Sequence, residues 1–183
     1  MHKLTVLEMN RLTAEQYREA EKTPLVIVLD NVRSMYNVGS VLRTADGFRI
    51  EKVCLCGITG TPPHPEIHKT ALGAEDSVAW EHYGDTMQCV AALRSQGYAI
   101  VALEQVEGSR NMLDWHDTQP LAIVIGNEVH GVSQPAVDAA DYCLEIPQYG
   151  TKHSFNVACA AAMAMWQYFK NRTAASEHTS LNN

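Results

Sequence analysis

Hydrophobic positions along this chain gather in short, unbroken runs. Leu25-Val26-Ile27-Val28-Leu29 closes on Asp30, and similar runs occupy Val53–Leu55, Tyr98–Leu103, Leu121–Ile125 and Tyr142–Ile146. A strand covered on both faces reads this way, because neither set of alternate positions meets water. Between the runs lie stretches with helical spacing: Val38–Phe48, Thr86–Gln96, Gln134–Ala140 and a long Phe155–Phe169. Strands alternating with helices predict an α/β fold, an open parallel sheet flanked by helices on both faces. Ahead of them, Thr13 with Gln16 three residues later is a capping-box pattern for a short charged helix. Residues 1–23 are therefore expected to form an N-terminal helical extension and 24–170 the main domain. Residues 171–183, mostly small and polar, are expected to be a flexible C-terminal tail.

Local signals refine three of these elements. Asn37 is placed to cap the helix opening at Val38, and Gly47 to stop it. Arg43 then falls mid-helix among Val41, Leu42, Ala45 and Phe48. There it either snorkels to solvent or is aimed at an anionic substrate such as an RNA backbone. Ser154 is placed to cap the last helix, which is apolar nearly all round as far as Trp166 and so must be buried. Either the core of one chain or a second subunit could cover it.

Ligands of open α/β sheets bind beyond the carboxyl ends of the strands. Three loops there combine glycine and polar groups with apolar flanks: Glu104–Gly108, Gly126–Ser133 and Pro147–Asn156. Such loops suit a half-apolar small molecule held largely by backbone groups. No G-x-G-x-x-G follows a strand and no P-loop is present, which argues against ordinary dinucleotide or P-loop chemistry.

Composition narrows the class further. With 183 residues and 46% hydrophobic content, the chain can bury a core of its own. Its 14 Lys+Arg against 21 Asp+Glu give a net charge of −7, which at first argues against a nucleic-acid partner. The acid is uneven, however: residues 1–53 carry 8 basic and 7 acidic side chains, including Arg33, Arg43 and Arg49. Five cysteines lie scattered without a CxxC pair, which favours reduced thiols in a cytoplasmic protein. No apolar run is long enough to span a membrane, and Met1–Glu8 does not read as a secretory leader. His64-Pro65-Glu66-Ile67-His68 lacks a metal-binding order, so no metal is expected.

Three segments then carry a resemblance. Asn37-x-Gly39-x-x-x-Arg43, Ile125-Gly126-Asn127-Glu128-x-x-Gly131-Val132-Ser133 and Ile146-Pro147-x-x-Gly150-x-x-x-Ser154-Phe155-Asn156-Val157-Ala158 occur in this order. Together they resemble the SpoU (TrmH-like) family of the SPOUT superfamily, over roughly residues 24–170. Gln148, Phe155 and Asn127 depart from the family pattern, whereas Arg43, Glu128 and Asn156 match it. The resemblance implies a C-terminal trefoil knot, an exception to the rule against threaded chains. It implies S-adenosylmethionine bound in that knot around Leu103, Gly126, Ile146, Gly150, Ser154, Phe155 and Asn156. It also implies a homodimer and methyl transfer to a ribose 2′-hydroxyl of RNA.

In the family the arginine matching Arg43 activates the ribose hydroxyl. Arginine ordinarily stays protonated, so stabilising a developing alkoxide or clamping a phosphate is the alternative. Asn37, Glu128 and Asn156 would complete the catalytic set, with Arg33, Arg43 and Arg49 towards RNA. Glu128 could also be simply an acid in the first turn of the following helix. The chain has little beyond this core, which favours tRNA over ribosomal RNA; a non-catalytic RNA-binding or ribosome-assembly module is the rival.

Overall fold

The first apolar run sets the centre of the sheet. In a computed structural model, which describes residues 1–5 and 8–180, it forms β1 (Thr23–Asp30), completely buried from Leu25 to Leu29. The other strands are β2 (Ile50–Cys56), β3 (Trp80–Tyr83), β4 (Ala99–Leu103), β5 (Arg110–Asn111), β6 (Leu121–Ile125) and β7 (Tyr142–Glu145). All seven join one sheet in the order β3-β2-β1-β6-β4-β7-β5, and every neighbouring pair runs parallel. The knot implied by the resemblance is consistent with this order, in which β6 and β7 insert on either side of β4.

Alternation along β1 divides the core in two. Leu25, Ile27 and Leu29 point to one side, where α2 (Met35–Gly47) and α7 (Val157–Ser180) supply Val38, Val41, Leu42, Ala161, Met165 and Tyr168. Val26 and Val28 point to the other, against Cys89, Val90 and Leu93 of α5 (Thr86–Ser95) and Ala136 of α6 (Gln134–Ala139). Each such aliphatic side chain removed from water contributes about 1.5–3 kcal/mol, and the unbroken runs exist to supply both faces at once. The expected doubly wound sheet is therefore the fold observed.

Elements at the margins carry weaker sequence patterns. β3 and β5 are short, lie at the two edges and are half exposed, so neither needs a continuous apolar run. Two further helices, α3 (Pro65–Ala71) and α4 (Ala74–Ser77), sit in a stretch punctuated by glycine and proline. His64 caps α3, its Nδ1 accepting from Glu66 N at 3.2 Å, while His68 Nδ1 lies 2.5 Å from Glu75 Oε1. The N-terminal extension holds α1 (Ala14–Glu19), whose capping box between Thr13 and Gln16 is formed on both sides.

Helix ends required four corrections. Ser34, not Asn37, caps α2, its Oγ accepting from Asn37 N at 3.3 Å. Asn37 lies inside the first turn, where its side chain is free to bond elsewhere. Gly47 is the last helical residue rather than the stop; the left-handed position is Arg49, with φ of 49°. At α7, Asn156 takes the capping role expected of Ser154, its Oδ1 accepting from Ala158 N at 2.9 Å and Cys159 N at 3.3 Å. Lastly, α7 continues to Ser180, so residues 171–180 are helical rather than a loose tail; residues 181–183 lie outside the described residues. Asn171 anchors the start of the extension: it is buried, and its Nδ2 donates to Trp115 O at 2.9 Å.

α7 is also less enclosed than an all-round apolar helix should be. Ala161, Ala164, Met165 and Tyr168 are fully buried, yet Trp166 on the opposite side is 53% exposed. Its ring packs with Phe169 and with Phe48 beyond the end of α2, leaving an aromatic cluster at the surface.

Helix α2 meets α3 at Gly39. A Cβ there would stand 2.3 Å from Ile67 O and 2.1 Å from Thr70 Oγ1. The backbone atom cannot retreat, so glycine at this motif position serves the packing of two helices. Gly39→Ala should lower stability by about 1–3 kcal/mol, the usual cost of overpacking. Thermal unfolding checks this: an unchanged Tm would show that the α2–α3 contact yields.

Candidate functional site

Where β1 ends, its last residue organises the base of the site. Asp30 is a buried carboxylate: Oδ1 accepts from Thr86 Oγ1 at 2.6 Å and from Asn31 Nδ2 at 2.8 Å, and Oδ2 from Ser133 N at 2.8 Å. One carboxylate thus ties the starts of α5 and α6 to the central strand, through the Thr86 hydroxyl and the Ser133 amide. Buried Thr59 does the same for the neighbouring loop, accepting from Val32 N at 2.9 Å and donating to Leu29 O at 3.1 Å.

The loop after β6 folds back on itself. Asn127 and Gly131 exchange both backbone hydrogen bonds, at 2.9 and 3.0 Å. Asn127 Oδ1 also accepts from Val129 N and His130 N, and its Nδ2 donates to Asn31 O. Such a tight turn presses Gly126 against the returning chain. A Cβ on Gly126 would lie 1.9 Å from the Gly131 carbonyl carbon and 2.0 Å from Val132 N, so only glycine fits.

The turn holds Glu128 out towards the start of α2. Its Oε2 accepts from Arg33 N at 3.0 Å, and its Oε1 from Ser34 N at 2.9 Å and Asn37 Nδ2 at 3.0 Å. Asn37 in turn accepts from Asn156 Nδ2 at 3.1 Å. Three motifs far apart in sequence are thus linked, and the last link caps α7. Glu128 lies well before α6, so it is not a first-turn acid of that helix; its negative charge faces the start of α2 instead. Burial raises the Glu128 pKa, but hydrogen bonds from Arg33, Ser34, its own amide and Asn37 outweigh this and leave it below the usual carboxylate value.

Beside this linkage opens a cavity of about 480 Å³ beyond the carboxyl ends of β4, β6 and β7. That volume lies within the ordinary range for small-molecule sites, roughly 300–1,000 Å³. Leu103, Gly126, Ile146, Ser154 and Phe155 line it, as expected, whereas Gly150 and Asn156 do not. Gly150 is exposed, and Asn156 is engaged with Asn37 and the α7 cap. Its lining includes three glutamates, Glu104, Glu128 and Glu145, with apolar walls from Ile125, Val132 and Leu144. Sequence reasoning missed Glu104, although its place directly after the β4 run was the available signal. Both its oxygens are anchored, Oε2 by Val132 N at 2.8 Å and Oε1 by Gln105 N at 2.9 Å.

The three arginines expected to meet substrate are dispersed. Arg33 joins the linkage only through its backbone N–H, its side chain remaining exposed. Arg43 is exposed on α2, about 9 Å along the helix axis from Asn37, and does not line the cavity. Arg49 stands at the far end of α2, where Thr23 N donates to its carbonyl at 2.8 Å, beside the amino ends of the strands and away from the cavity. Among the described residues, no three His, Cys, Asp or Glu side chains converge as a metal site requires, and no helix is long and apolar enough to cross a membrane.

Comparison with known proteins places this geometry. A model of the SpoU rRNA Methylase family matches residues 24–166. A Staphylococcus saprophyticus protein bearing the name of a TrmH family tRNA/rRNA methyltransferase is 29% identical over 157 residues. That alignment covers 86% of this chain and 63% of the relative, so the chain spans less than two thirds of the longer protein. The SpoU methyltransferase AviRb from Streptomyces viridochromogenes, solved in complex with the cofactor AdoMet, superposes with a TM-score of 0.74 at 25% identity. The match covers 86% of this chain and 64% of that one. A TrmH/SpoU tRNA modifying enzyme from A. aeolicus shares the fold with a TM-score of 0.79 at 24% identity, covering 91% of this chain and 85% of its own.

The lowered Glu128 pKa fixes the sign of a pH effect. A carboxylate depressed in the folded state contributes stability that is complete above its unfolded value, near 4.5, and is lost as pH falls through the folded value. Glu128→Gln should therefore be less stable than wild type at neutral pH, the gap narrowing below about pH 4.5. Denaturant titrations of both proteins across this range test it, and a gap independent of pH would rule out an ionised Glu128 as its source.

Proposed function

The chain belongs to the SpoU methylase family, and from that premise we propose that it transfers a methyl group from S-adenosylmethionine to a ribose 2′-hydroxyl of RNA, with tRNA as the substrate class. The observation that carries this reading is the acid-lined cavity held open beside the Glu128–Asn37–Asn156 linkage. Its chemistry suits the cofactor: apolar walls for an adenosine, and carboxylates for a ligand carrying both a sulfonium and an ammonium. Leu103, Gly126, Ile146, Ser154 and Phe155 would hold it. Bound there, S-adenosylmethionine supplies a methyl carbon made electrophilic by the adjoining sulfonium.

The chain's own residues have three tasks: to hold the hydroxyl in line, keep water away and stabilise charge as the proton leaves. Glu128 already accepts from two amides and Asn37, so in this reading it positions the start of α2 rather than accepting the proton. Arg43 is a permanent cation on the same helix, suited to a developing alkoxide or the adjoining phosphate. RNA must then pass from the exposed stripe of α2 to the mouth of the cavity. A homodimer acting in the cytoplasm completes the proposal, with a second copy covering exposed Trp166 and the half-buried Phe169 and Phe48 beside it.

Arg43→Ala and Arg43→Lys should each reduce methyl transfer by two orders of magnitude or so, the scale of one lost stabilising donor. S-adenosylmethionine should still raise the Tm of both variants as it does for wild type. Label transfer to bulk tRNA and ribosomal RNA, followed by nucleoside mass spectrometry, identifies the product. A 2′-O-methyl nucleoside in tRNA is the expected result. Its appearance only in ribosomal RNA would correct the substrate, and binding without transfer would favour an RNA-binding module.

A further inference from the structure

Helix α2 carries more at its exposed face than Arg43. Tyr36, Ser40 and Arg43 recur at i, i+4 and i+7, and so stand in one stripe along the helix. Tyr36 is 42% exposed, although Asn37 beside it is buried in the linkage to Glu128. Its backbone is fixed, because Thr70 Oγ1 of α3 donates to Tyr36 O at 3.0 Å and Gly39 locks the two helices together below it. Lys69 of α3 reaches over the ring, its Nζ 5.8 Å from the centroid. A rigid, exposed aromatic face with an ammonium beside it and a guanidinium two turns along is an arrangement proteins use for single-stranded nucleic acid. A base stacks on the ring and the cations meet the flanking phosphates.

We propose that Tyr36 is a stacking platform for an unpaired RNA base next to the site, with Lys69 and Arg43 on the neighbouring phosphates. The inference rests on RNA being the substrate, and it adds a recognition element outside the cofactor cavity. Tyr149 is more exposed, at 93%, yet it lies in the irregular loop 146–156 and lacks comparable support. The platform accounts for why an aromatic ring is left in water immediately beside a buried asparagine. It selects for unpaired RNA rather than for sequence, because every base has a π-face.

The test uses the whole protein with a short single-stranded RNA carrying both fluorescein and 2-aminopurine. Anisotropy reports binding, and quenching of 2-aminopurine reports stacking. Tyr36→Ala should weaken binding about tenfold and abolish the quenching, while Tyr36→Phe keeps both. Tyr36→Leu, which preserves apolar bulk on the helix, should lose the quenching with Tm unchanged. Lys69→Ala should keep the quenching but reduce the salt dependence of binding by about one phosphate contact. Wild-type quenching in Tyr36→Leu would overturn the proposal, as would absence of RNA binding by wild type. So would a changed oligomeric state of Tyr36→Ala, which would make the ring a subunit contact. Loss of methyl transfer with Tyr36-dependent quenching intact would refute the transferase reading alone and leave the platform standing.

Discussion

One carboxylate holds the site together. Glu128 collects two backbone amides at the start of α2 and the side chain of Asn37, and Asn37 passes the constraint to Asn156 at the start of α7. Hydrogen bonds to a charged group are stronger than neutral ones, and here they join segments more than ninety residues apart in sequence. Without that carboxylate, two amides at the start of α2 and the side chain of Asn37 would have to find other partners. The arrangement works as a unit: Asn37 can bridge only because Ser34 has taken over the cap, leaving the amide side chain to bond on both sides.

Below it the same logic is repeated with a buried charge. Asp30 satisfies donors from α5 and from the residue before α6, so the central strand ends in a polar knot rather than an apolar one. A lone buried carboxylate would be costly; one with three donors is not. The two acids thus divide the work, Asp30 fixing the helices of one face and Glu128 those of the other. Between them the chain keeps rigid, closely approached loops at the strand ends, where Gly126 lets backbone meet backbone.

Much of this was legible in the sequence because burial on both faces leaves an unmistakable trace. The five inner strands and four main helices follow from it directly. The edge strands β3 and β5 left no trace, since a half-exposed strand of two to four residues has no pattern to show. At the site, Glu128, Asn37 and Asn156 were identifiable by motif, but their partners were not. Capping is a matter of one residue's backbone angle, so Asn37 and Ser154 looked like caps although Ser34 and Asn156 hold those places. Arg43 and Arg49 looked like neighbours in sequence, yet Arg43 lies on α2 and Arg49 beyond its end in the turn to β2, away from the cavity.

The overall charge of −7 now has a spatial meaning. Three of the acids line the cavity, where they would favour a ligand of positive charge and repel a phosphate. The cations Arg33, Arg43 and Lys69 stand instead on the exposed surface of α2, its preceding loop and α3. A polyanion approaching this molecule is therefore attracted to the rim and excluded from the interior. That division is what the proposed two-substrate chemistry would require. A uniformly basic surface would bind RNA more tightly, but it would also draw phosphate into the pocket proposed for the cofactor. If RNA is the substrate as proposed, local placement of a few cations, rather than net charge, is the physical quantity that would admit it to an acidic protein.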